Sequence, residues 1–215
     1  MVTMQAVTGA ARAARAVVRR RAGAALAAVP AAVALLATGA VGPAPAAAPA
    51  GDGPRAVARD AYFLPPANAE PDDGLTYDLA LVPAGAGITV VEVARDGGTR
   101  LRLSLTGLLP GRTYGAHVHT RPCGAAPDDA GPHYQDVRDP VQPSVDPAYA
   151  NAENEVWLDF TTDHRGKAHT TTRQDWRFRP GGARSVVVHE HATMTHPGEA
   201  GTAGARLACL SVPFE

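Results

Sequence analysis

The 215-residue chain lacks several signatures by which enzymes are commonly read. No GxSxG elbow presents a nucleophilic serine, no glycine-rich loop cradles a phosphate, and no CxxC pair offers a redox dithiol. Those absences remove the serine-hydrolase, nucleotide-binding and thioredoxin-like readings. No sustained 3.6-residue period and no internal repeat occurs, which argues against helical bundles and solenoids. Cysteine is scarce, with only Cys123 and Cys209.

Acid is also missing at the start, where no Asp or Glu precedes Asp52. Arg12, Arg15 and Arg19 to Arg21 make a basic segment ahead of an alanine-rich apolar run, Ala22 to Val41. Small residues around Ala46 to Ala50 then offer cleavage sites, the order of a secretory signal peptide. The alternative is an uncleaved anchor, because the run has about the ~20 residues that span a bilayer. Pro30 and the high alanine content make it weakly hydrophobic for that role. No cysteine lies there to carry a lipid. The chain is therefore read as a signal peptide over 1–50, a flexible leader over 51–73 and one domain over 74–215, exported from the cytoplasm.

Removing the first fifty residues removes five arginines and no acids, taking the formal charge from −1 to −6. No basic patch remains to follow a nucleic-acid backbone, and no second apolar span remains to cross a membrane. In an exported domain two cysteines read most simply as one disulfide, with a catalytic thiol as the alternative that an oxidising compartment disfavours.

What is present is short alternation. In "TRLRLSLTG", Leu101, Leu103 and Leu105 take one face while Arg102, Ser104 and Thr106 take the other. "ITVVEVA" precedes it across Asp96-Gly97-Gly98, a tight hairpin turn. Further strands are expected over 113–120, 155–161, 167–172, 185–191 and 206–212. About eight short strands with Gly and Pro turns predict an all-β antiparallel barrel or sandwich. The segment from Thr120 to Glu153 breaks this rhythm with six prolines and no period. A loop of that length inside a compact domain reads as functional.

"GAHVHTRPCG" places His117 and His119 on one strand face, with Cys123 just beyond. His133 stands in "GPHY" and His189 ends "SVVVH". Singly, each is an ordinary surface or hydrogen-bonded histidine. Together with "AGARLAC", and in this order, the motifs resemble the copper/zinc superoxide dismutase family over most of the expected domain. The resemblance implies a Greek-key β-barrel with copper ligands at His117, His119, His133 and His189. It implies a disulfide between Cys123 and Cys209 that tethers the long loop, and an anion-orienting Arg206. It also implies superoxide as substrate, converted to oxygen and hydrogen peroxide by Cu(II)/Cu(I) cycling. A non-catalytic copper-binding or copper-delivery domain of the same fold is the alternative.

Two departures qualify the resemblance. The family's zinc site draws two further histidines and an Asp from the loop after the His133 position. Here no histidine lies between Tyr134 and Thr162, and Glu153, Glu155 and Asp159 do not replace two imidazoles. Nor does the short segment between His189 and Arg206 match the Asp that normally joins the two metal sites. A copper-only variant without zinc is expected. Glu155, or another acid nearby, is then the candidate partner for the second nitrogen of His133, since metal-bound imidazoles are normally held by an outer acceptor. His164, His169, His191 and His196 read as solvent-facing.

Overall fold

The structure is a computed structural model and describes residues 54–215. The signal segment expected over 1–50 lies outside the described residues. Nine strands follow in chain order: β1 (Arg55–Leu64), β2 (Gly74–Thr76), β3 (Gly87–Arg95), β4 (Gly98–Thr106), β5 (Thr113–His119), β6 (Phe160–Thr161), β7 (Ala168–Gln174), β8 (Ser185–His189) and β9 (Arg206–Ser211). They join in the order β6-β5-β8-β9-β2-β1-β3-β4-β7. The end strands β6 and β7 are consecutive in the chain and share a turn in which Asp163 N–H donates to Lys167 O at 2.7 Å. The sheet therefore curls almost back onto itself. The result is the all-β Greek-key barrel expected from sequence, with nine strands in place of about eight. Among the described residues no helix is long and apolar enough to cross a membrane.

The flexible leader expected over 51–73 is corrected from Arg55 onward, and residues 51–53 lie outside the described residues. Arg55–Leu64 forms β1, paired antiparallel with β3 from Arg55↔Ala94 to Tyr62↔Gly87 and parallel with β2 at Phe63↔Gly74. Val57, Arg59, Ala61 and Phe63 are the more buried alternate positions. Alanine and arginine at those places gave little contrast between the two faces, so the period was hidden. Backbone pairing and the fully buried Phe63 hold the strand instead. The barrel begins some twenty residues before the expected boundary at 74.

The expected β3–β4 hairpin is present, and Asp96 and Gly97 both take positive φ, 47° and 80°. Those angles match the twist of the flanking strands, which is why Asp-Gly serves the turn. The expected strand over 155–161 shortens to β6. Residues 155–158 instead run beside β5 through separate contacts, including Leu158 N–H to Ala116 O at 2.8 Å. β5 is buried on both faces. Ala116 and Val118 enter the apolar core with Leu103, Leu158, Val186 and Leu207, while His117 and His119 lie outside the barrel wall beneath loops. The fold thus supplies a dry surface outside its core, and the histidines occupy it.

One carboxylate sits on the wrong side of that division. Glu92 faces the interior of β3 beside Val90 and Ala94 and is 1% exposed. Its Oε2 accepts from Glu215 N–H at 3.1 Å, and its Oε1 has no hydrogen-bond partner. Burial raises its pKa to about 7, against a smaller opposing effect of the Glu215 hydrogen bond. Because the folded pKa lies above the unfolded value, the contribution of Glu92 to native stability falls as pH rises from about 4.5 to 7 and is level above that. Glu92→Gln is expected to remove this slope, leaving the protein on the order of 3 kcal/mol more stable at pH 8 and unchanged at pH 4. Urea unfolding across that pH range measures it; parallel pH profiles for the two proteins would contradict it.

Candidate metal centre

Three segments bring the four expected histidines together. His117 and His119 project from β5, and His189 comes from the end of β8, paired opposite Gly115. His133 is carried by the long loop, which is stitched to β5 on both sides of it. Thr120 N–H donates to Pro132 O at 3.0 Å, and Tyr134 N–H donates to Val118 O at 2.8 Å. One ring nitrogen from each of the four lies within 4.8 Å of the others. The imidazoles of His117 and His133 are 4.1 Å apart between centroids, and those of His117 and His189 are 4.8 Å apart. Cys123 and Cys209 are joined by a disulfide, which ties the start of the loop to β9.

The outer nitrogens decide what the inner ones can do. His119 Nδ1–H donates to Gly131 O at 2.9 Å, and His133 Nδ1–H donates to Glu155 Oε2 at 2.8 Å. His189 Nδ1 is 3.5 Å from Gly204 O. His117 is turned the other way, with Nε2 2.7 Å from Thr193 Oγ1. With their outer protons so placed, three Nε2 atoms and His117 Nδ1 are left to face one another. His119 Nε2 and His189 Nε2 are 3.3 Å apart, and His117 Nδ1 is buried without a protein partner. Lone pairs gathered this closely in a buried site call for a cation.

Titration points the same way. Burial, reinforced by the neighbouring imidazoles, holds His117 and His119 well below the usual histidine range. Burial, then His133, lowers His189 to about 3. These rings are neutral at physiological pH, so a metal would displace no protons from them. Four imidazole donors suit copper, zinc or nickel and not calcium or magnesium. The donor set therefore fits copper.

Glu155 is 1% exposed and serves more than one partner. Its Oε2 also accepts from Trp157 Nε1–H at 2.8 Å, and its Oε1 accepts from Gln135 Nε2–H at 2.9 Å. Gln135 in turn accepts Asp139 N–H at 2.9 Å, extending the support into the loop. Arg206 opens β9 and is half-buried, with Nη1 3.1 Å from Pro127 O and 3.6 Å from the exposed Asp128 carboxylate. It lines a cavity of about 530 Å³ together with His133, Glu155 and His189. His164, His169, His191 and His196 are exposed and stand apart from the four-histidine cluster.

Sequence reasoning did not find Gln135, Trp157 or Thr193, and it gave Asp159 no task beyond failing as a zinc ligand. Each acquires its neighbour only in three dimensions. One local sign was available in Gly115, where a Cβ would lie 2.7 Å from His191 O and 2.8 Å from Ala203 Cβ. That close approach lets the loop after β8 cover His117. Gly131, at φ 73°, likewise admits no side chain, since its Cβ would meet Thr120 Oγ1 at 2.7 Å.

The family described as copper/zinc superoxide dismutase matches residues 86–212. No curated protein matches. Among solved structures the chain is similar to the Cu/Zn superoxide dismutase from Brucella abortus, at 22% identity over 75% of this chain and 99% of that one, with a TM-score of 0.48. It is similar to a variant of a SOD-like protein from Bacillus subtilis at 19% identity, covering 62% and 92% of the two chains, TM-score 0.46. It also resembles the clock protein EA4 at 24% identity, covering 60% and 88%, TM-score 0.45.

Proposed function

The chain belongs to the copper/zinc superoxide dismutase family, and from that membership we propose that it is an exported, copper-dependent superoxide dismutase working without zinc. The observation that carries the reading is the convergence of four imidazoles whose outer nitrogens face partners elsewhere. His117 would bind the metal through Nδ1, and His119, His133 and His189 through Nε2. Copper, when bound, would supply one-electron exchange between two oxidation states, the chemistry by which two superoxide ions and two protons become oxygen and hydrogen peroxide.

The residues of the chain do the rest. Burial keeps His117, His119 and His189 deprotonated on their inner nitrogens, and the acceptors behind the four rings orient them. Glu155 favours the zinc-free reading, because the nitrogen of His133 that a second metal would need carries a proton donated to Oε2. Loss of the family's zinc ligands after Tyr134 supports the same conclusion. Arg206 is the cation at the cavity. Its half-buried guanidinium is only loosely balanced by the exposed Asp128, so it can draw and hold a small anion beside His133 and His189. On a domain with net negative charge such a local cation matters for capture.

Metal analysis of the purified protein, paired with superoxide decay on the copper-loaded form, tests the function. Copper at one equivalent, little zinc, and rapid decay are expected. Copper without dismutation would favour the delivery alternative, and no copper at all would overturn both readings. Arg206→Leu is expected to lower the bimolecular rate about tenfold and to flatten its dependence on ionic strength while leaving copper content unchanged.

A further inference from the structure

Behind His117 stands a second pair of residues that neither the family match nor the sequence motifs assign. Thr193 Oγ1 is 2.7 Å from His117 Nε2 and 2.7 Å from Asp159 Oδ1. Asp159 Oδ2 accepts Thr193 N–H at 2.7 Å, and its Oδ1 accepts Ala116 N–H at 3.3 Å. Asp159 does not reach the ring itself, since Oδ1 is 3.9 Å from Nε2.

Proton accounting gives this chain a direction. An ionised carboxylate only accepts, so the Thr193 hydroxyl must donate to Asp159. A hydroxyl has one proton, so what Thr193 offers His117 is a lone pair. His117 must then carry its proton on Nε2, which leaves Nδ1 bare on the side facing the other three imidazoles. We infer that Asp159, acting through Thr193, sets the tautomer of His117 and so makes that ring a ligand. The two are positioning residues; neither touches the metal site. The inference rests on reading the four histidines as a copper site, but the tautomer exists with or without metal.

The arrangement also ties two parts of the fold. Thr193 belongs to the loop after β8, and Asp159 directly precedes β6. Seating the loop and orienting the ring are therefore the same event. The acid behind His117 thus comes from just before β6 and not from the segment between His189 and Arg206.

Asp159→Asn separates orientation from packing because it keeps the shape and reverses the hydrogen bonding. The amide oxygen takes the place of Oδ2, because it then keeps the short 2.7 Å bond from Thr193 N–H and gives up only the longer 3.3 Å contact from Ala116 N–H. The amide nitrogen then faces Thr193 Oγ1 and donates to it. The hydroxyl turns its proton toward His117 Nε2, and the ring proton moves to Nδ1, where it blocks the site. The same logic explains how an Asp-to-Asn change behind a catalytic histidine can preserve geometry yet install the wrong tautomer.

The test uses ¹⁵N NMR of imidazole nitrogens in the metal-free protein, with Cu(II) affinity by chelator competition. Wild type is expected to show His117 as the Nε2–H tautomer. Asp159→Asn should switch it to Nδ1–H, and Thr193→Val should leave a mixture. Both should weaken Cu(II) binding about 10- to 100-fold, while Thr193→Ser should retain the wild-type tautomer and affinity. Should Asp159→Asn fold but leave His117 as Nε2–H, the relay is overturned, because a merely structural Asp159 predicts that result. A wild-type protein with the Nε2–H tautomer, switched in Asp159→Asn, but with no copper affinity would keep the relay and defeat the copper reading.

Discussion

Glu155→Gln is expected to weaken Cu(II) binding about 100-fold and to destabilise the metal-free protein by roughly 2–3 kcal/mol. The carboxylate receives protons from His133 and Trp157 on Oε2 and from Gln135 on Oε1. Glutamine has one oxygen for these three donors. With its oxygen toward His133 and Trp157, its amide nitrogen meets the Gln135 amide nitrogen. Gln135 cannot flip without abandoning Asp139 N–H. In the reverse placement both ring N–H groups face a donor. Either way a buried donor is unpaired, and the remaining hydrogen bonds lose their charge assistance. His133 then loses the anchor that keeps its proton on Nδ1. Chelator competition reads the affinity, and Trp157 fluorescence reports the lost indole hydrogen bond. Wild-type copper affinity in this variant would remove Glu155 from the machinery and reopen the question of what occupies the outer nitrogen of His133.

How much of this was legible without coordinates depends on the range of the interaction. The β3–β4 hairpin was legible because Leu101, Leu103 and Leu105 alternate beside an Asp-Gly turn, and both signals are local. His117 and His119 were legible for the same reason, since alternation on one strand makes them neighbours. Glu155 was found by chemical need: a ligating imidazole wants an acceptor behind it, and few acids were within reach. β1 was missed because its inward positions include Arg59 and Ala61, so the sheet holds it more by backbone pairing than by a visible apolar stripe. Thr193 and Asp159 lie 34 residues apart and meet only because Gly115 lets a loop close over β5. No local pattern encodes that contact. What was recovered is what a strand's own period or a ligand's own chemistry demands; what was missed is set by which loop lies over which strand.

Cys209→Ser is expected to destabilise the fold by roughly 4–5 kcal/mol, the largest thermodynamic effect anticipated here. The bond closes a sequence separation of 86 residues, and opening it returns that freedom to the unfolded chain. The consequences for the site should exceed those of a uniform loss of stability. Cys123 begins the segment that supplies Gly131 O to His119, Pro127 O to Arg206, and His133 itself. Without the disulfide this segment is held to the barrel by Cys123 N–H on Ser211 Oγ at 3.0 Å, Tyr77 OH on Gly124 O at 2.9 Å and the backbone pairing around Pro132. Each such neutral hydrogen bond contributes about 1 kcal/mol net, so the segment opens locally at far less cost than the barrel. Urea unfolding should show the global loss. Hydrogen exchange under native conditions should show protection falling most at Arg121 N–H and Thr120 N–H, which pair with the segment. Copper should dissociate faster from this variant than from an equally destabilised core variant such as Leu103→Ala, because opening the segment withdraws one ligand and the support of another. Equal copper dissociation rates in those two proteins would mean that the disulfide stabilises the barrel as a whole and has no particular part in holding the metal centre.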